Sequence, residues 1–222
     1  MSAHRPDHGH QRLERRNPTS TEPPLVRLGS SVLAAAVLTN GAMDDDIRTA
    51  VRHAKWLKEL NRFADATIER LQVRAAAQRM ELPTAERESA IAEHLRRAIR
   101  AGGQPAHFRL ATGLVRLPDR ARHLSANLIS AAAPLQDAVR CIGNLALVRS
   151  YAEETEVAVR RGEELYLTAL GSTIAAPSQV GTDADGVLDT VRTVGLLRAF
   201  QQAHAACSSV ARYCTWAALA QA

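Results

Sequence analysis

Bulky residues are scarce in this chain. Aromatics make up only 4% of its 222 residues, against 46% hydrophobic residues overall. Alanine supplies much of the difference, and small side chains favour helices packed closely over a sheet core. Alternating runs of β-branched residues are nearly absent. Three cysteines, Cys141, Cys207 and Cys214, are too few and too scattered for a disulfide framework, which fits a reducing compartment. Lysine is rarer still. Only Lys55 and Lys58 break the arginine monopoly among 28 basic residues, a bias that codon composition explains as readily as recognition does.

Signatures of chemistry are missing too. There is no Walker loop, no Gly-x-Gly-x-x-Gly, no Gly-x-Ser-x-Gly and no His-Glu-x-x-His. The acidic pairs Glu153-Glu154 and Glu163-Glu164 lack the Glu-x-x-His spacing of di-iron bundles. No reaction and no cofactor can therefore be named, and an enzyme is not expected. Met1 to Arg16 is polar, with no apolar core of a secretory signal. The apolar run Val32 to Leu38 is too short to span a bilayer. These features predict a soluble protein of a bacterial cytoplasm. No repeat at a fixed period is evident.

What is present is helical periodicity. From Asp44 to Leu82 there is no Gly or Pro, and apolar residues recur in steps of three and four. One seam position holds Ile47, Ala54, Asn61, Ile68, Ala75 and Leu82. The other holds Ala50, Leu57, Ala64, Leu71 and Gln78. This is the pattern of a long helix packed lengthwise on others. Asn61 within it would set register at a cost in stability.

Thr84 to Ala101 reads as a second helix, closed by Gly102-Gly103. Gln104 to Leu117 is ambiguous, and Pro118 suits the first turn of a helix reaching about Ala133. Pro134 either kinks that helix or starts the next. Leu135 to Leu170 reads as one long segment ended by Gly171, and Asp185 to about Ala220 as the last. A short helix, Val32 to Thr39, would precede them, closed by Asn40-Gly41. The fold class expected is all-α: an antiparallel bundle of four to five helices, two or three of them long. Residues 1–28 read as a disordered polar tail, 29–222 as the bundle, and 172–186 as a loop before the last helix.

Charge is concentrated. Arg96, Arg97, Arg100, Arg109, Arg116, Arg120 and Arg122 stand against one acid, Asp119, giving +6 in a chain of net +5. Such a block can meet an acidic protein or nucleic-acid phosphates, or be a solvated face balanced by neighbouring glutamates. Only Phe108 is at hand to stack a base, and no recognition motif accompanies it. Trp56 and Phe63, seven residues apart, are either a docking strip or a second core stripe. His204, Cys207 and Cys214 share one side of the last helix. Their apolar stripe marks them as core rather than metal ligands. If Met1 is removed, Ser2-Ala3-His4 could hold Cu(II) or Ni(II) through amine, amides and imidazole.

The leading expectation is a non-enzymatic adaptor, chaperone-like or assembly protein that binds another protein or itself. The alternatives are a nucleic-acid-binding protein using residues 96–122, and an unrecognised helical enzyme or ligand carrier.

Overall fold

A computed structural model describes residues 22–43, 46–77, 82–114, 117–175 and 184–220. Six helices and no strand are found among them: α1 (Pro24–Ala42), α2 (Ile47–Ala77), α3 (Leu82–Thr112), α4 (Asp119–Arg140), α5 (Leu145–Ala175) and α6 (Ala184–Leu219). The all-α class holds. The helix count is six rather than four or five, and four of the six run 31 residues or more.

The differences from expectation lie at helix ends. α1 begins at Pro24, inside the stretch read as tail, because proline at the first turn gives up an N–H that has no helical partner there. It also runs through Asn40-Gly41. Among the described residues α1 alone is long and apolar enough to cross a membrane, and half of its apolar window is buried by other helices. α3 continues through Gly102-Gly103. A Cβ at Gly102 would lie 3.4 Å from Ala35, and one at Gly103 3.3 Å from Leu57. The two glycines thus serve close packing, and the helix stops instead at Gly113, whose φ of +65° suits a glycine C-terminal stop. Pro105 and Pro134 lie within α3 and α4 without ending them. The single segment expected from Leu135 is broken at Cys141–Gly143, and Asn144 starts α5 by accepting from the Leu147 N–H at 3.2 Å. Asp46 caps α2, accepting from the Arg48 and Thr49 N–H groups and the Thr49 hydroxyl. The hydroxyl first, then the Arg48 N–H, holds its carboxyl below the ordinary value. Residues 1–21 of the tail, Asp44, Asp45 and residues 176–183 of the expected loop fall outside the described residues.

On α2 the predicted seam is buried at Ala50, Ala54, Leu57, Ala64, Ile68 and Leu71, while Ile47 is exposed. Asn61 has an inaccessible Oδ1 with no hydrogen-bond partner.

The six helices form two units of three. In each, a shorter helix lies against a long antiparallel pair: α1 on α2 and α3, α4 on α5 and α6. The units meet where α1 packs on α4 and α3 on α6. Both contacts are antiparallel. Asn40 accepts from Ser125 at 2.8 Å while Gly29 lies against Val139. His94 bonds Ser209 at 3.0 Å while Phe108 lies against Gly195. A local two-fold axis between the units requires this arrangement.

Burial repeats with the same symmetry. Buried Leu28, Ser31, Val32, Ala35, Ala36 and Thr39 recur as Leu124, Asn127, Leu128, Ala131, Ala132 and Leu135. Ala50, Ala54, Leu57, Ala64, Ile68 and Leu71 recur as Val148, Ala152, Thr155, Gly162, Tyr166 and Ala169. Ile91, Leu95, Ala98, Ile99, Ala106 and Arg109 recur as Leu196, Phe200, Ala203, His204, Ala211 and Cys214. The chain therefore carries a structural repeat that the sequence reading missed. The spacing between partners is 96, 98 and 105 positions in the three helix pairs, because the connections differ in length, so no single period exists to find.

Candidate interaction groove on the second unit

α5 and α6 pack antiparallel around Gly162. A Cβ there would lie 2.6 Å from His204 Cδ2 and 2.7 Å from Asn127 Oδ1, so only glycine lets α5 approach this closely. Beneath it the His204 ring spans two partners, Nδ1 to the Phe200 carbonyl at 2.9 Å and Nε2 to the Asn127 side chain at 2.8 Å. Burial holds the imidazole below its ordinary pKa, partly countered by the Phe200 carbonyl. Both groups that face the ring nitrogens are oxygens, so whichever ring nitrogen carries the proton donates to the Phe200 carbonyl or to Asn127 Oδ1.

Above this pair two adjoining cavities open along the α5–α6 seam. One, about 400 Å³, has His204, Ser208, Glu163 and Gln201 in its lining. The other, about 750 Å³, is an open groove that includes Val157, Thr215, Trp216 and Leu219. Glu156, Arg160 and Arg212 border both. Glu156 accepts from the Ser208 hydroxyl at 2.6 Å and from Arg212 Nε at 3.2 Å, rather than pairing with Arg160 one turn on. Val157, Trp216 and Leu219 are 57%, 54% and 47% exposed. Trp216 leans on Tyr213 at 5.1 Å between ring centroids, and Tyr213 stacks on His94 at 4.5 Å. The groove thus has a rigid aromatic anchor, an apolar lip and a charged rim, the anatomy of a binding surface.

The arginine block does not form one open cationic face. Arg96 pairs with Glu93 at 2.7 Å and reaches Asp65 at 3.4 Å, Arg97 pairs with Glu93, and Arg100 with Asp65. Arg96 first, then Arg97, holds the Glu93 carboxyl below its ordinary value. Arg109 is buried and donates to the carbonyls of Ala42 and Leu114. Arg120 and Arg122 are exposed on α4, and Arg116 lies outside the described residues.

Trp56 and Phe63 are each partly buried. Trp56 tilts against His53 at 5.8 Å, and Arg27 stacks over the Phe63 ring at 4.7 Å. Cys207 and Cys214 are core residues whose thiols burial pushes up to about 12. No cluster of three metal-ligating side chains occurs among the described residues. His4 lies outside them.

Sequence reasoning missed the groove. Its signals were present: Trp216 stands one place off the apolar stripe that runs through Cys214 and Ala217, and Val157 sits between Glu153-Glu154 and Arg160-Arg161 on the exposed face of α5. Compared with known proteins, the chain matches no protein family and no curated protein. Fold and groove together define a protein whose described residues form six helices with an open, charge-rimmed surface groove.

Proposed function

We propose that this chain is a non-enzymatic helical interaction protein of a bacterial cytoplasm, an adaptor, chaperone-like or assembly component. The observation that carries the reading is the α5–α6 groove, where Trp216, Val157 and Leu219 are half exposed within a rim of Arg149, Glu153, Arg160 and Arg212. A large aromatic anchored by its neighbours in a polar-rimmed apolar groove is the usual centre of a protein contact.

The nucleic-acid alternative draws less support. Of the block between Arg96 and Arg122, three arginines are engaged with Glu93 and Asp65 and one is internal. Light scattering and affinity capture test the main reading. The wild-type chain is expected to associate, with itself or a retained protein, and Trp216→Ala to lose most of that association at unchanged helicity. A Trp216→Ala chain that associates as the wild type does overturns the site. Tight duplex binding that falls steeply with salt and is lost on Arg120→Glu would favour the alternative.

A further inference from the structure

We infer that the exposed ridge of α5 is a symmetric docking face for a second copy of this chain, placed antiparallel about Val157. The inference rests on the interaction-protein reading above and names its partner.

The ridge is charged in an order that reads as its own complement when reversed. Glu153 and Glu154 precede Val157 by four and three positions, and Arg160 and Arg161 follow it by three and four. Arg149 stands eight positions before, Glu164 seven after. All six are exposed. Among the described residues none of them makes an ion pair within its own chain, whereas Glu156, half-buried beside them, is engaged by Ser208 and Arg212. A second α5 laid antiparallel with its Val157 on this Val157 brings Glu153 and Glu154 against the Arg160 and Arg161 of the other copy, twice over. The Arg149–Glu164 pairing lies about 10–12 Å from Val157 at 1.5 Å per residue. A parallel arrangement sets like charge on like. An isologous two-fold contact needs this self-complementarity, and an unrelated partner gives no reason for it. The same placement covers the lip of the groove, where Val157 adjoins Trp216 and Leu219.

Light scattering tests this with two variants whose changes are all at exposed positions. The wild type is expected at twice the 24.0 kDa chain mass across the micromolar range. Glu153→Arg with Glu154→Arg makes the ridge basic apart from Glu164, and Arg160→Glu with Arg161→Glu makes it acidic apart from Arg149. Each alone is expected to be monomeric, and a one-to-one mixture is expected to restore the dimer. In a second measurement, Val157→Cys is expected to form an intermolecular disulfide on mild oxidation that the wild type, with its own three cysteines, does not.

A monomeric wild type overturns the inference, as does a dimer that both charge variants leave intact or one that Val157→Cys fails to cross-link. None of these results removes the broader reading, which is lost separately if Trp216→Ala leaves the capture of a partner protein unchanged.

Discussion

The two three-helix units share a burial pattern and put it to different use. At matched positions the first unit buries Ser31, Ala64 and Ile99, and the second buries Asn127, Gly162 and His204. The first junction is filled almost wholly by apolar atoms. The second holds a hydrogen-bonded polar pair, and it fits only because α5 carries no side chain at Gly162. The charges differ as well. In the first unit, Arg96, Arg97 and Arg100 are held by Glu93 and Asp65. In the second, the charges along the α5 ridge face outward, with no ion-pair partner among the described residues. The same helix arrangement therefore ties its arginine cluster to acids of its own in one half and carries the α5 ridge in the other.

The largest expected effect tests the junction. Gly162→Ala gains helix propensity, up to about 1 kcal/mol. It also drives a methyl group onto His204 and Asn127 and breaks a buried hydrogen bond. Overpacking costs about 1–3 kcal/mol, and an unsatisfied buried polar group a similar amount. Urea unfolding should show a net loss of about 2–3 kcal/mol. Replacing the whole junction by its counterpart, Asn127→Ser with Gly162→Ala and His204→Ile, should recover most of that loss. A single Gly162→Ala that stabilises the fold would break the comparison outright.

Arg109 comes next. It is buried at 1% exposure and ties the carbonyl of Ala42, at the end of α1, to that of Leu114 beyond α3. Its counterpart is Cys214, buried in apolar surroundings. Arg109→Met leaves those carbonyls without their donor and should cost about 3 kcal/mol. Cys214→Ala removes one sulfur from a core site and should cost about 1 kcal/mol. Equal losses in the two unfolding curves would show that Arg109 acts only as packing.

Arg109 also shows why part of the molecule was unreadable in sequence. It was grouped with its arginine neighbours because charge is local in the chain, while its acceptors come from 67 and five positions away. The long helices were legible, since three-and-four spacing needs only one helix face: Ala50, Leu57 and Leu71 are buried as expected. Helix ends were less so. Gly102-Gly103 has the chemistry of a stop, but Ala35 and Leu57 crowd it and make it a contact, which no local rule reveals. The repeat escaped for a similar reason, because burial is shared at all eighteen matched positions while residue type is kept at only six, five of them alanine. The groove was marked only by two apolar residues out of phase, Val157 and Trp216, and their meaning depends on α5 and α6 lying side by side.

A smaller effect separates the junctions by pH. His204 has a folded-state pKa below its ordinary 6.5 because burial disfavours the charged ring. The unfolded chain then binds a proton more readily than the folded one. Stability from this group is full above about pH 6.5 and declines as pH falls through the depressed folded value. His94 and His107 are shifted the same way, so the wild type alone cannot isolate it. The difference between wild type and Asn127→Ser/Gly162→Ala/His204→Ile should. Its urea midpoint should shift in favour of the variant as pH drops from 7.5 to 5. A difference that stays flat would mean that the Phe200 and Asn127 oxygens serve the imidazolium equally well.

The smallest effect concerns the surface. Asp65 holds Arg100 at 2.9 Å and Arg96 at 3.4 Å, with all three side chains between a quarter and a half exposed. In the second unit the matching acid is Glu163, and the residues opposite it are Gln201 and Ala205, which offer no cation. Exposed ion pairs contribute about 0.2–1 kcal/mol, less as salt screens them. Asp65→Asn should therefore lower stability by roughly 0.5 kcal/mol at low ionic strength, and the loss should shrink in 1 M salt. Glu163→Gln should leave stability unchanged at either salt concentration. Equal, salt-sensitive losses at both positions would mean that the second unit also holds its charges internally, which would remove the contrast on which the outward face of α5 depends.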